Sequence, residues 1–266
     1  MTTVVLLRHG QSTANVAGIL AGRSAGVHLN DRGREQADAV AARLASIGID
    51  KLVSSPMVRC QETLAPLAAA TGLTLHTDDG FAEVDYGDWT GRALKDLGGE
   101  DIWRTVQQHP SAAVFPGGEG LANVSVRAVA ALRAQMESVG DGVLLVCSHG
   151  DVIKALLADA LGMHLDGFQR IVVAPAALSV IRYTPLRPFV ERVNDSGELG
   201  SLRPPPPEPA PLAAGQPTKE SNRDVSGTHP VGAAAPGVGG NGARDTGSSP
   251  AASPDVSDAV PGGVTG

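Results

Sequence analysis

Cationic and nucleophilic side chains follow three apolar runs of this sequence. Arg8 and His9 follow the first run, Arg59 comes one helical turn after the second, and His149 follows the last. The planar guanidinium of an arginine bonds two phosphate oxygens at once, and a neutral histidine can attack phosphorus as a nucleophile. Two arginines and two histidines gathered in one place would therefore make a pocket suited to a phosphoryl group.

The apolar runs also predict how these side chains are gathered. Residues 3–7, 51–55 and 142–147 have the length and apolar character of buried β-strands, and each precedes a helical pattern. Strands that alternate with helices predict an α/β fold, here a three-layer α/β/α sandwich with a mostly parallel sheet. Because ligands bind beyond the carboxyl ends of such strands, we expect the four side chains at one edge of the sheet.

The remaining predicted elements complete the sheet and its two layers of helices. Further strands are predicted over residues 73–76, 177–183 and 189–193. One helix should begin after the N-cap Asn30, bury Ile47 on its apolar face and end at Gly48. Other helices are predicted around Arg59 and over residues 94–107, 121–139 and 151–161.

The composition changes sharply near residue 200 of the 266-residue chain. From residue 203 onward, Pro, Gly, Ser and Ala make up 39 of 64 residues, and no aromatic residue occurs. Such a segment cannot bury enough apolar surface to offset its chain entropy. We therefore expect one globular domain over residues 1–196, followed by a disordered tail over residues 197–266.

Charge, hydropathy and cysteine content exclude several classes of protein. The net charge of −7 gives no support for a nucleic-acid partner. No apolar stretch is long enough for a membrane span, and the N-terminus lacks the pattern of a signal peptide, so we expect a cytoplasmic protein. The two cysteines cannot form a four-sulfur zinc site, and the histidines lack metal-ligand spacing. No metal and no other cofactor is expected.

Five segments of the sequence, taken in order, resemble the motifs of the histidine phosphatase superfamily, which has the phosphoglycerate mutase-like fold. They are LRHGQSTAN (7–15), SSPMVRCQET (54–63), FAEVDYGDWTG (81–91), PGGE (116–119) and VCSHG (146–150). The resemblance spans roughly residues 3–185 and leaves only the C-terminal tail uncovered. It implies an enzyme that transfers phosphoryl groups through a covalent phosphohistidine.

The resemblance implies a catalytic role for each of five residues. His9 would be the nucleophile that becomes phosphorylated. Glu83 would protonate the leaving alcohol and then deprotonate the water that cleaves the phosphohistidine. Arg8, Arg59 and His149 would hold the phosphoryl oxygens, since such a transfer depends mainly on positioning and positive charge.

Other residues of the motifs are expected to bind substrate or to support the site. Asn15 would be a further contact to the substrate phosphate. Gln11 and Gly22 either contact substrate or serve ordinary turn and capping duties, and both alternatives stay open. Glu119 and Arg127 are expected to be structural.

The motifs alone leave the reaction open, because the same pocket can pass a phosphoryl group to water or to a second hydroxyl. Only 65 residues separate Glu83 from His149, which limits the substrate-capping insertion that mutases of the family carry. The acid loop EVDYGDWTG also resembles the phosphatase branch. We therefore expect a phosphatase, with a phosphoglycerate mutase-like phosphomutase as the first alternative and a non-catalytic phosphate-binding module as the second.

The expected partner is a small phosphorylated metabolite whose identity the sequence leaves open. Residues 23–28 run RSAGVH where the family usually has a Gly-aromatic or Gly-Gln segment and an Asp, so the substrate of a relative cannot simply be transferred. The proline run at 204–207 favours polyproline II and suits docking to a protein partner. Of the two alternatives for this tail, a solvated extension without a partner is favoured.

Overall fold

A computed structural model describes residues 1–197, and within them the chain forms one six-stranded sheet in the order β3-β2-β4-β1-β5-β6. Its strands are β1 (Thr2–Arg8), β2 (Lys51–Ser54), β3 (Leu75–Thr77), β4 (Val143–Ser148), β5 (Leu178–Tyr183) and β6 (Pro188–Asp195). The first four run parallel to one another, while β5 is antiparallel to β1 and β6 is antiparallel to β5. This confirms the predicted mostly parallel sheet. The predicted tail lies outside the described residues, apart from Gly197.

Helices cover both faces of the sheet, as the predicted three-layer sandwich requires. They are α1 (Thr13–Ala17), α2 (Asp31–Leu44), α3 (Val58–Thr71), α4 (Leu94–Leu97), α5 (Trp103–Gln108), α6 (Leu121–Val139) and α7 (Gly150–Ala160). Successive side chains of a strand point to opposite faces. In β1, Val5 and Leu7 accordingly join the core with α2 and α3, whereas Val4 and Leu6 join the core with α6 and α7.

Most elements form where the sequence predicts them, and two predictions are wrong. The side chain of Asn30 accepts a hydrogen bond from the Gly33 N–H, as expected of the N-cap of α2. The helix then ends at Leu44 instead of Gly48, so Ile47 leaves the apolar face and is 49% exposed. The predicted helix over residues 94–107 is split into α4 and α5, and the adjacent residues Gly98 and Gly99 lie at the break. Adjacent glycines favour such a break because their backbone loses the most entropy in a helix.

No helix between residues 1 and 197 has the length and hydropathy that a membrane span needs.

Candidate active site

The parallel pairing of β1 with β4 places the two histidines side by side. Arg8 at the end of β1 is in register with Ser148 at the end of β4, so the next residue of each strand is a histidine at the same edge. The His9 backbone N–H donates to the Ser148 carbonyl at 3.0 Å, and the rings of His9 and His149 lie 5.2 Å apart. Arg59 enters the same place from α3, and all four predicted cationic or nucleophilic side chains are buried.

His9 presents one ring nitrogen as a free nucleophile. Its Nδ1 lies 2.7 Å from the Gly10 carbonyl oxygen, which can only accept, so Nδ1 carries the proton and Nε2 keeps its lone pair. Burial lowers the pKa of His9 well below its ordinary value, and the charges of Arg59 and Arg8 lower it further. A neutral imidazole in a fixed tautomer is the form that attacks phosphorus.

The chain around His9 is held by close contacts that leave no room for a side chain at Gly10. A Cβ atom at Gly10 would lie 2.6 Å from the carbonyl oxygen of Gly33 in α2. On the other side, the Gly10 N–H donates to the Thr63 hydroxyl at 2.9 Å, and that hydroxyl donates to the Arg59 carbonyl at 2.7 Å. The loop after β1 is therefore fixed between α2 and α3.

Arg59 carries a buried donor that nothing else in the described residues uses. Its Nη2 donates to the Gly22 carbonyl at 2.8 Å and to Nδ1 of His149 at 3.1 Å. Its Nη1 is buried and has no hydrogen-bond partner within residues 1–197. Because an unsatisfied buried donor is costly, this nitrogen is suited to an oxygen atom of a ligand.

His149 has the opposite tautomer to His9. Its Nδ1 accepts from Arg59, which can only donate, so the proton lies on Nε2 and points to the Ser55 hydroxyl at 2.7 Å. Burial lowers the pKa of His149 well below its ordinary value, and Arg59 lowers it further. An anion bound beside Nδ1 would oppose both effects and favour a second proton on this ring.

The Glu83 carboxyl group lies close to His149 and Arg59. Its Oε2 lies 3.5 Å from Nδ1 of His149 and 4.0 Å from Nη2 of Arg59, while its Oε1 accepts the Val84 N–H at 2.9 Å. Burial raises the pKa of Glu83 to about 7, against the opposing effect of Arg59. A carboxyl group with that pKa can both give and take a proton near neutral pH.

The main chain of Glu83 is held by a network that the sequence revealed only in part. Arg23 and Arg127 donate to the Glu83 carbonyl at 2.8 and 3.1 Å, and both arginines also bond the carboxylate of Glu119. The same carboxylate accepts the Asp85 N–H at 2.8 Å. The structural role predicted for Glu119 and Arg127 agrees with these bonds. The role of Arg23 was missed, although it begins the segment that departs from the family pattern.

The remaining predicted residues lie in supporting positions. The side chain of Asn15 accepts from both the backbone N–H and the hydroxyl of Ser12, and so completes the capping box of α1, whose N-cap is Ser12. Gln11 accepts from the Asn30 side-chain amide, and the Gly22 carbonyl holds Arg59. Substrate contacts of Asn15, Gln11 and Gly22 stay predictions. Sequence reasoning also missed the roles of Ser55 and Thr63, although both belong to the second motif. These are the hydroxyls that fix His149 and Gly10.

The described residues contain no group of three or more His, Cys, Asp and Glu side chains arranged to hold a metal ion. The cations of the site are arginine side chains, fixed by hydrogen bonds from Arg8 to the Val173 carbonyl and from Arg59 to Gly22.

Comparison with known proteins identifies the family of this chain. The sequence model of the histidine phosphatase superfamily (branch 1) matches residues 4–196. Phosphoserine phosphatase 1 of Hydrogenobacter thermophilus is 30% identical over 205 residues, which cover 76% of this chain and 96% of that protein. A probable phosphoglycerate mutase of Yersinia pestis is 32% identical over 185 residues, covering 69% and 86%.

Solved structures with the same fold include two phosphatases. The alpha-ribazole phosphatase of Shigella flexneri has a TM-score of 0.66 and 27% identity, covering 73% of this chain and 96% of its own. A mycobacterial glucosyl-3-phosphoglycerate phosphatase, in a structure with VO3, has a TM-score of 0.66 and 26% identity, covering 73% and 98%. The family match spans most of the chain, and the relatives are enzymes that act on phosphate esters. This protein is thus an enzyme of the histidine phosphatase superfamily.

Proposed function

We propose that the protein hydrolyses phosphomonoesters of small metabolites through a phosphohistidine formed on His9. The observation that carries this proposal is the state of the His9 ring. Its Nδ1–H is fixed on the Gly10 carbonyl, and its Nε2 is free beside Arg59 and His149. That arrangement supports a nucleophile that needs no separate base to activate it.

In the first step, Nε2 of His9 forms a bond to phosphorus while the bond from phosphorus to the ester oxygen breaks. Glu83 gives its proton to that oxygen, and the alcohol leaves. In the second step, the Glu83 carboxylate takes a proton from water, whose oxygen bonds to phosphorus as the bond to Nε2 breaks. Inorganic phosphate leaves, and Glu83 is again protonated.

Positive charge around the phosphoryl oxygens lowers the barrier of both steps. We assign this role to Arg8, Arg59 and His149, with the unpaired Nη1 of Arg59 as one donor. His149 would bind the dianion as an imidazolium, since an adjacent anion counteracts the lowering of its pKa.

Hydrolysis is favoured over mutase activity by the small amount of structure between Glu83 and His149. The regular helices in this interval are the short α4 and α5 and the core helix α6, which leave little material for a cap over the substrate. A mutase remains the second candidate because one relative at 32% identity is named a probable phosphoglycerate mutase. The relatives named phosphatases differ in substrate, so the proposal is limited to small phosphorylated metabolites.

We propose a cytoplasmic setting as well. Cys60 and Cys147 are both free and buried, as expected in a reducing compartment. The proposal includes no nucleic-acid partner, and a protein partner bound through the tail stays a hypothesis.

The test is phosphate release from a panel of phosphorylated metabolites and para-nitrophenyl phosphate. His9→Ala should lose essentially all turnover, whereas His76→Ala, an exposed histidine on β3, should match the wild type. Brief incubation with substrate and quenching in alkali, which preserves phosphohistidine, should label the wild-type protein at His9. Turnover that persists in His9→Ala would overturn the proposal. Phosphoryl transfer between phosphoglycerates without phosphate release would establish the mutase instead.

A further inference from the structure

A buried carboxylate beside the site is not used by the steps above. Asp151 lies in the first turn of α7, two residues after His149, and is completely buried. A carboxylate in such a place is unfavourable unless hydrogen bonds or charges compensate it. The Tyr86 hydroxyl donates to its Oδ2 at 2.8 Å, and Lys154 Nζ lies 3.5 Å from its Oδ1.

The hydrogen bond to Tyr86 joins the loop that bears Glu83 to the helix that begins at His149. Tyr86 lies three residues after Glu83 in the acid loop, while Asp151 belongs to the helix for which His149 is the N-cap. Tyr86 is itself buried, and its ring packs edge-to-face on Phe115 at 4.9 Å. The bond therefore fixes the acid loop to α7, in addition to the hydrogen bonds that the loop receives from the network of Arg23, Arg127 and Glu119.

The charge of Asp151 acts on the same site. The charged and titratable groups that face Glu83 include Arg59 from α3, Arg8 from β1, His149 at the N-cap of α7, Asp151 in its first turn and Tyr86 in the acid loop. Arg23 and Arg127 bond its carbonyl. Burial is the main cause that raises the pKa of Glu83, Arg59 and Arg8 oppose it, and Asp151 supports it. Asp151 also offsets the effect of burial on the pKa of Arg8.

We propose that Asp151 is a positioning residue for proton transfer: its carboxylate anchors Tyr86 and with it the acid loop, and its buried negative charge acts on Glu83. This inference rests on the proposed function, in which Glu83 is the acid. Asp151 bonds Tyr86 and Lys154, and we place its effect on proton transfer at Glu83, the acid of the proposed steps. Together with burial, which is the main cause, this charge helps the acid to keep its proton near neutral pH although two arginines lie close by.

The decisive variant is Asp151→Asn, which keeps an acceptor for Tyr86 and removes the charge. Its matched control is Asp159→Asn, which removes a carboxylate from the exposed side of the same helix. For both, kcat/KM is measured against pH with the best alkyl phosphomonoester of the panel and with para-nitrophenyl phosphate. The nitrophenolate leaving group departs without a proton, so kcat/KM for para-nitrophenyl phosphate measures phosphoryl transfer to His9 without a contribution from the acid.

Removal of the charge should move the alkaline limb of the alkyl-ester profile down by about one pH unit. Above that limb the loss in kcat/KM should be about tenfold, because each pH unit is a factor of ten in the protonated fraction. Turnover of para-nitrophenyl phosphate should change far less, and Asp159→Asn should follow the wild type with both substrates. An unmoved limb with equal losses for both substrates would show a purely structural role and overturn the proposal.

Tyr86→Phe tests the anchor and also covers the case in which Asp151→Asn does not fold. It should lower kcat for the alkyl ester several-fold while the limb keeps its position, because the charge remains. Wild-type behaviour of folded Tyr86→Phe would refute the anchoring role.

A carbon-13 NMR titration of the Glu83 carboxyl separates this inference from the proposed function. The midpoint should fall in Asp151→Asn and stay in Asp159→Asn, whether or not the wild type turns over substrate. Inactive wild-type protein would refute the proposed function, and an unchanged Glu83 midpoint would refute the role of Asp151.

Discussion

Replacement of Glu83 by Gln separates the two chemical steps of the proposed mechanism. The two side chains have nearly the same shape, and the Gln carbonyl can still accept the Val84 N–H that now bonds Oε1. What the variant loses is a proton donor 3.5 Å from His149 Nδ1, and afterwards a base for water. The fold should survive, since the buried carboxyl group is replaced by a neutral group of equal size.

The size of the effect depends on the leaving group. General acid catalysis contributes about 10²- to 10⁴-fold, so kcat/KM for an alkyl phosphomonoester should fall by that factor in Glu83→Gln. Para-nitrophenyl phosphate needs no acid for the first step, so His9 should still be phosphorylated. Hydrolysis of the phosphohistidine then lacks its base. The expected result is one rapid equivalent of nitrophenol per active site, followed by slow turnover.

Stopped-flow absorbance measures this burst, and alkaline quenching with mass spectrometry measures phosphoryl label on His9. The matched control is Asp85→Asn, which changes the next carboxylate of the same loop. Its amide oxygen can still accept the Gly87 N–H that Asp85 accepts at 3.0 Å, so turnover should persist. If Glu83→Gln hydrolysed alkyl esters within a few-fold of wild type while Asp85→Asn did not, the acid would be assigned to the wrong carboxylate.

Four further outcomes follow from the same geometry. Folding raises the pKa of Glu83 from 4.5 to about 7, so the folded state holds this proton more tightly than the unfolded chain. The resulting contribution to the free energy of unfolding is about 3 kcal/mol. It is fully present below the pKa of the unfolded chain and is lost as the pH rises through the pKa of the folded state. Urea unfolding at several pH values should show this loss in the wild type and not in Glu83→Gln. Arg59→Lys should lower kcat/KM by about 30- to 800-fold, equivalent to about 2–4 kcal/mol. The guanidinium of Arg59 bonds the Gly22 carbonyl through Nη2 and keeps Nη1 available for a phosphoryl oxygen, and a lysine ammonium cannot do both in the same geometry. EDTA should leave turnover intact in a phosphate-release assay, and metal-dependent recovery after chelation would contradict an all-organic site. A chain ending at Gly200 should keep its activity and melting temperature, and a large loss of either would show that the C-terminal segment packs on the domain.

The sequence predicted which side chains meet at the site, because each of them follows an apolar run that could be recognised as a strand. Arg8 and His149 each stand at the end of an apolar strand, and parallel strands bring their carboxyl ends to one edge. Arg59 reaches the same edge because it lies in the first turn of α3, the helix that follows β2. The end of α2 was less predictable, since Ile47 continues the apolar period beyond the point where the helix stops.

The tautomers of the two histidines could not be predicted from the sequence, because they depend on contacts that only the folded chain makes. The tautomer of His9 depends on a single carbonyl at 2.7 Å, and that of His149 on donation from a residue 90 positions away. The hold of Arg23 on the Glu83 carbonyl likewise spans 60 positions. Motifs indicate which residue types meet, but hydrogen-bond direction is decided only when the final packing sets each distance.

Burial explains why this set of side chains can work at neutral pH without a separate activating base. With their ordinary pKa values of 6.5 and 4.5, a histidine binds protons more tightly than a glutamate, which gives a protonated nucleophile and an ionised acid. Burial disfavours both charged forms, so the pKa of His9 falls and that of Glu83 rises to about 7. The pKa of Glu83 thus lies above that of His9. At a pH between these two values, His9 is unprotonated at Nε2 while Glu83 holds its proton. Alkyl-ester turnover should therefore be highest on the acid side of pH about 7 and fall above it, whereas phosphorylation of His9 by para-nitrophenyl phosphate should show no such fall.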